Sequence, residues 1–341
     1  MKQSLLQKIL KILPAEPAHR VRMALLRMVG ALPLGRHILK WCLAPRNKEL
    51  DREVFGVHFR NPIGIAAGFD ANGDHLDELA AAGFGFVEIG SVVPYSQPGT
   101  PRPRLFRLRG TKSMVDNSGY PSRGMEYILD NIRHRPINKR ELVIGCNIGK
   151  CTSTHKEDIA KEYLRVFRNM YQYVDFFVVN AACNTSSKRY VPRTREELLS
   201  LVEPMFEFRR GQLDYRPILL KISPDLTWEE IDTAVSVLIE TPLDGIEAVA
   251  GSLTLATDDK GAISGEMLTE RALEVVRYIA QKSEGNYPII GCGGILTPDD
   301  AVRMMEAGAS LVALNSGIRI NGMHLLKHAS KAIAEAKRTK A

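Results

Sequence analysis

Eight short apolar runs recur through the chain, at 63–67, 86–91, 143–148, 176–180, 218–222, 245–250, 289–292 and 311–314. Most are parted by stretches with helical spacing, such as 76–82, 159–173, 228–240, 266–281 and 298–307. An unbroken apolar run of this length suits a strand buried on both faces, the condition of strands in a parallel sheet. Eight such strands with intervening helices predict an α/β fold: a (β/α)8 TIM barrel with an N-terminal helical extension. A doubly wound sheet is the alternative that order alone leaves open. A length of 341 residues suits one barrel. Just before the first run, Glu53-Val-Phe-Gly-Val-His-Phe59 splits around Gly56 as a small hairpin would. The expected division is 1–45 as an N-terminal segment and 46–341 as the barrel, with the Pro-rich stretch 94–103 an ordered loop at the active face and 337–341 a frayed tail.

The formal net charge of +7 does not describe a nucleic-acid surface, because it is not spread over the chain. Residues 1–48 hold ten Lys and Arg against the single acid Glu16, a sum of +9, and the remaining 293 residues sum to −2. The basic arm carries Leu5, Leu6, Ile9, Leu10, Ile12 and Leu13, then after Pro17 a second run with Val21, Ala24, Leu25, Met28 and Val29, and a third stretch with Trp41. Two amphipathic helices and a short third element are expected there. No run of eighteen apolar residues and no secretory signal is present, so the arm reads as lying on an anionic membrane surface or as capping the barrel. The five cysteines, Cys42, Cys146, Cys151, Cys183 and Cys292, are odd in number and lack zinc-type spacing, which fits a reducing compartment and no metal. His324 and His328 share a helical face, where a packed or solvated role outweighs a metal site.

In a parallel barrel, chemistry gathers at the C-terminal ends of the strands. The most telling end is Asp175-Phe-Phe-Val-Val-Asn180-Ala-Ala-Cys183-Asn184-Thr185, where an apolar run stops in two amides and a thiol. Cys183 is either a reactive thiol or a small buried hydrophobe. Two later runs end in glycine, at Gly291-Cys-Gly-Gly294 and Ser316-Gly317. Glycines at the seventh and eighth strand ends let backbone N–H groups reach a phosphate, although tight turns explain either one alone. Lys221 stands inside the apolar Ile218-Leu-Leu-Lys-Ile222, where a buried charge needs an anionic partner or serves as a nucleophile. Asn147 occupies the tip of the third run and Asn117 a long loop with Tyr120. Amides so disposed suit a planar ring bearing carbonyl and N–H groups.

Taken together, Asn61-Pro-Ile-Gly-Ile-Ala-Ala-Gly68, Glu88-Ile-Gly-Ser-Val-Val-Pro94, Pro103-Arg-Leu-Phe-Arg107, Asn147-Ile-Gly-Lys150, Lys221-Ile-Ser-Pro-Asp225, Ser264-Gly265, Gly291-Cys-Gly-Gly-Ile295 and Gly308-Ala-Ser-Leu-Val312 resemble the dihydroorotate dehydrogenase family, in its order and across most of the chain. The arm, with Glu16-Pro-Ala-His19, resembles that of the membrane-associated, quinone-reducing class. The resemblance implies a barrel enzyme of pyrimidine biosynthesis, peripheral on the cytoplasmic face of the inner membrane, whose FMN takes a hydride from dihydroorotate and passes electrons to quinone. By motif, Ala66, Ala67, Gly68, Ser91, Asn147, Lys221, Gly265, Gly294, Ser316 and Gly317 would hold FMN, the last three at its phosphate. Asn117, Tyr120, Asn180 and Asn184 would hold the substrate, Cys183 would be the proton-abstracting base, and His19 and Arg36 would line the quinone entrance.

The chain also departs from that pattern. The class usually has Ser at the base position and a Pro before the second Asn, where this chain has Cys183 directly followed by Asn184. Ala71 stands where the family has Lys, Ala250-Gly251 where it has Asn-Thr, with Ser252 the nearest hydroxyl, and Ser186-Ser187 where a glycine is expected. A paralogue acting on another small cyclic substrate, or a barrel that binds flavin or phosphate without turnover, therefore stays open beside the dehydrogenase.

Overall fold

The computed structural model describes residues 10, 12–46, 48–134, 141–182, 190–255 and 261–340. A hairpin of β1 (Arg52–Val54) and β2 (Val57–Phe59) precedes the eight expected strands: β3 (Ile63–Ile65), β4 (Phe86–Val92), β7 (Val143–Ile148), β8 (Phe176–Asn180), β9 (Ile218–Ile222), β10 (Gly245–Ala248), β12 (Ile289–Cys292) and β13 (Leu311–Leu314). They close into one parallel barrel in that order, β13 returning to β3. The doubly wound alternative is thereby excluded.

Alternation along the strands sorts the core into two sets. Ile63, Ile65, Val87, Ile89, Ile144, Ile148, Phe177 and Val179 face outward and pack with the helices. Phe86, Phe176, Val178, Leu219, Ile290, Leu311 and Ala313 face the barrel axis. At the end where the strands begin, Phe55 and Phe59 of the hairpin lie against Phe86 and Phe176, with ring centroids 5.5 to 6.4 Å apart. Gly64 and Gly145 leave room for this plug, since a Cβ on either would fall 2.4 or 2.3 Å from the Phe86 or Phe176 ring. That end is shut, so the barrel opens only at the C-terminal ends of its strands.

The outer helices are α1 (Ala15–Ala31), α2 (Gly35–Leu43), α3 (Leu76–Ala82), α4 (Met125–Ile132), α5 (Ile159–Met170), α6 (Arg195–Arg210), α7 (Trp228–Glu240), α8 (Thr269–Lys282), α9 (Pro298–Glu306), α10 (Ser316–Asn321) and α11 (His324–Lys340). Capping boxes at Thr227 with Glu230 and at Thr297 with Asp300 fix the starts of α7 and α9. Helix α1 begins at Ala15, not after Pro17, because a proline in the first turn loses no intrahelical bond. Met23, Leu26, Leu39 and Leu43 of α1 and α2 belong to the main core, so the extension is docked on the barrel. Of the tail expected to fray, residues 337–340 are helical. Helix α11 continues to Lys340, and the Arg338 guanidinium donates to both Glu49 carboxylate oxygens, Nε to Oε2 at 2.8 Å.

A second sheet, absent from the sequence-based expectation, is built from β5 (Leu105–Arg107), β6 (Ser113–Asp116) and β11 (Ala262–Gly265) in the antiparallel order β11-β6-β5. It contributes a wall to the cavity at the open end of the barrel.

Candidate active site

The cavity at the C-terminal ends of the strands is bordered by the ends of β3, β4, β7, β8, β9, β12 and β13 and by the small sheet. On one side a string of side chains is tied together. Asn180 Nδ2 donates to Ser91 Oγ at 3.1 Å, and Ser91 Oγ donates to Asn147 Oδ1 at 2.6 Å. Asn180 is itself fixed, its Oδ1 accepting from the Ala182 N–H and its backbone carbonyl from the Tyr163 hydroxyl. Asn147 Nδ2 is buried with no partner among the described residues. A buried amide donor left unpaired in a cavity wall costs free energy unless a ligand accepts from it.

Deeper in the barrel, Lys221 and Glu247 are register partners on β9 and β10, and Lys221 Nζ donates to Glu247 Oε1 at 2.5 Å. Glu88, inward-facing on β4, is the third ionisable group of this cluster. It is fully buried, with its carboxyl beside that of Glu247 and the Ala67 backbone. Burial first, and then the Glu247 carboxylate, push the Glu88 carboxyl well above the usual carboxylate range, with Lys221 opposing. For Lys221, burial acts to lower the ammonium, but Glu247 leads the charges that raise it above its ordinary value. Cys292 next to them is pushed up to about 12, mainly by burial. At neutral pH the cluster therefore holds Lys221 charged and Cys292 protonated, with the Glu88 carboxyl shifted toward its protonated form.

At the opposite wall, Gly293 and Gly294 both have positive φ, at 102° and 69°. Gly294 runs so close to the start of α8 that a Cβ would lie 2.3 Å from Thr269 Cα, and its carbonyl accepts from Thr269 Oγ1 at 2.9 Å. Gly317 likewise meets the Ile295 carbonyl, 2.1 Å from a Cβ position. Asn315 precedes α10, where its Nδ2 donates to the Ala67 carbonyl at 3.0 Å and its Oδ1 accepts from Arg319 Nε at 2.7 Å. Arg319 also donates to the Gly68 carbonyl and accepts, through its own carbonyl, from Arg22 of α1. Its guanidinium is lowered to about 10 by burial, with Asp116 and Glu16 opposing.

Of the residues singled out in the sequence, Ala66, Ala67, Gly68, Ser91, Tyr120, Asn147, Asn180, Lys221, Gly294 and Ser316 line the cavity. Gly265 and Gly317 do not; they stand behind it where backbones approach closely, a Cβ on Gly265 falling 2.5 Å from the Lys112 carbonyl. Asn117 follows β6 outside the lining, with its Oδ1 buried and unpartnered among the described residues. Cys183, Asn184, Ser186 and Ser187 lie outside the described residues. His19 of α1 donates from Nε2 to the Phe69 carbonyl at 2.9 Å, and burial first, then Arg319, holds its ring well below the ordinary histidine value. Arg36 makes an exposed pair with Asp77 at 3.0 Å and takes no part in the cavity. The divergent Ala71, Ala250 and Gly251 do line it, whereas Ser252 Oγ is committed to Asp225 at 2.5 Å. Sequence reasoning missed Glu88, Glu247, Asn315 and Arg319. The first two carried the signal that singled out Lys221, a charge inside an apolar strand.

The sequence profile of the Dihydroorotate dehydrogenase family matches residues 49–336. The chain belongs to the dihydroorotate dehydrogenase family. It is 35% identical to the dihydroorotate dehydrogenase (quinone) of Christiangramia forsetii, over 98% of this chain and 99% of that one. It is 37% identical to the dihydroorotate dehydrogenase (quinone) of Thermobifida fusca, over 94% and 88%. Among solved structures, the DHODH of Eimeria tenella in complex with ferulenol superposes with a TM-score of 0.76 at 26% identity, covering 91% of this chain and 93% of that one. The likeness to the quinone-linked enzymes includes the N-terminal helices, which a match to the barrel alone would have left out.

Proposed function

We propose that this dihydroorotate dehydrogenase family member is an FMN-dependent oxidoreductase that oxidises dihydroorotate to orotate and delivers the electrons to quinone. The observation that carries the reading is the tied string Asn180, Ser91 and Asn147, ending in an unpaired amide donor in the cavity wall, opposite the glycine loops after β12 and β13. The groups present fit a flavin mononucleotide: an amide donor and a lysine for a polar ring, and Gly294 and Ser316 with Gly293 for a phosphate.

Bound FMN would supply the two-electron acceptor that takes hydride from the substrate. Ala66, Ala67, Gly68, Ser91, Asn147 and Lys221 would hold its ring, with Gly265 and Gly317 supporting the loops around it. Asn180, Asn184, Asn117 and Tyr120 would orient the substrate, and Cys183 would take the proton beside the substrate carbonyl as a positioned base. His19, neutral and seated on Phe69, would border the path by which quinone arrives. No described helix is long and apolar enough to cross a membrane. The exposed side chains Met28, Leu32, Leu34, Ile38 and Trp41 with the basic arm suit docking on the cytoplasmic face of the inner membrane instead.

A second reading rests on Ala71, Ala250 and Gly251, which put methyl groups and a glycine where the pattern has a cation and hydrogen-bonding side chains: a different small cyclic substrate on the same flavin site. Purified protein that is yellow, and whose flavin is bleached by dihydroorotate under anaerobic conditions, supports the first reading. Yellow protein that dihydroorotate leaves oxidised supports the second, and colourless protein that takes up no FMN overturns both.

A further inference from the structure

Glu247 is wholly buried on β10, directly opposite Lys221 in the strand register, with its Oε1 2.5 Å from the Lys221 ammonium. Lys221 and Cys292 reach the cavity, whereas Glu247 stands behind the lysine and does not line it. Glu88 faces the same interior layer. An uncompensated ammonium at this point would favour any ring that gains negative charge. Here the charge is matched by a carboxylate at contact distance in a medium where Coulomb terms are poorly screened.

We infer that Glu247 is a positioning residue that sets the reduction potential of the ring bound in this cavity, by cancelling the charge of Lys221 and so holding the potential low. The inference rests on the flavin reading above. Removing the carboxylate leaves Lys221 as a net positive charge beside the ring, which favours the electron-rich reduced form and raises the potential. Burial, the largest cause that raises the Glu88 carboxyl, opposes its ionisation in place of the lost anion.

The test is the midpoint potential of bound FMN, measured by anaerobic dye equilibration in wild type and Glu247→Gln, with flavin content and thermal unfolding followed in parallel. Glu247→Gln is expected to shift the two-electron equilibrium toward reduced flavin at least tenfold, about 30 mV for a two-electron couple. A merely structural role would change thermal stability and leave the potential alone. Should Glu247→Gln not fold, the double variant Lys221→Met/Glu247→Met removes both charges with similar volumes. If the pair is neutral in the native protein, its potential stays within about threefold of wild type on the same equilibrium scale. Flavin-loaded Glu247→Gln with an unchanged or lowered potential, or a double variant whose two-electron equilibrium shifts tenfold toward oxidised flavin, overturns the inference alone. Wild-type protein that binds no flavin overturns the flavin reading, and this inference with it.

Discussion

His19 on α1 donates from Nε2 to the Phe69 carbonyl at 2.9 Å, and its ring meets the Phe69 ring edge-on at a centroid distance of 4.7 Å. This contact ties the N-terminal extension to the loop after β3, next to the cavity wall at Gly68. The buried Nδ1 has no partner among the described residues, so protonating it would place a second N–H where nothing accepts it.

The lowered folded value of His19 makes stability depend on pH. Above the unfolded value, about 6.5, the ring is neutral in both states and the fold carries no penalty. As pH falls through that value the unfolded chain takes up a proton that the folded ring resists, and stability is lost down to the lowered folded value. His19→Gln, which keeps a donor for the Phe69 carbonyl, is expected to flatten this slope in denaturant unfolding followed from pH 7 to pH 5. An unaltered slope would assign the effect to other groups.

The plug at the closed end makes a separate prediction. Phe59 is fully buried and packs on Phe55, Phe86 and Phe176. Phe59→Ala is expected to cost about 3–5 kcal/mol, and Gly145→Ala, whose Cβ would meet the Phe176 ring, about 1–3 kcal/mol by overpacking. Both act far from the open end, so flavin affinity per folded molecule should be unchanged. Urea unfolding and an FMN titration separate the two effects.

The barrel was legible because each of its strands is buried on both faces and reads as an apolar run, and because the helices between them keep one apolar stripe. The small sheet was not, since β5 and β11 are only partly buried and do not read as apolar runs, and β11 joins β6 across nearly 150 residues of sequence. The site was legible where glycine, asparagine and lysine interrupt apolar strands. Asn315 and Arg319 gave no such signal, because their role is to bridge the turn before α10 to the carbonyls of Ala67 and Gly68, a contact that only the closed barrel creates.

Asn147 offers a direct measure of the ligand the cavity takes. Its Nδ2 makes no protein hydrogen bond among the described residues, so that donor contributes nothing to the apoprotein. Asn147→Ala is expected to lower FMN affinity about tenfold to a hundredfold, the range for loss of one buried hydrogen bond. The thermal shift produced by added FMN should shrink accordingly, since ligand stabilisation follows the ratio of concentration to Kd. An FMN affinity equal to wild type would separate Asn147 from the ligand.

Ile38 and Trp41 lie one turn apart on α2 and Leu34 immediately precedes the helix; the three are 50%, 71% and 72% exposed, while Leu39 and Leu43 turn into the core. Deleting residues 1–45 would be a poor test, because it also strips Met23, Leu26, Leu39 and Leu43 from the core and His19 from Phe69. Leu34→Ser/Ile38→Ser/Trp41→Ser leaves those contacts in place. If this face enters the bilayer interface, losing three apolar side chains should weaken binding to anionic vesicles tenfold or more, equivalent to at least ~1.4 kcal/mol. Unfolding temperature and bound FMN should stay close to wild type, because none of the three side chains is buried. Binding that survives the triple substitution but vanishes in high salt would instead assign attachment to the basic residues of the arm, whose attraction to anionic lipid is screened by ions.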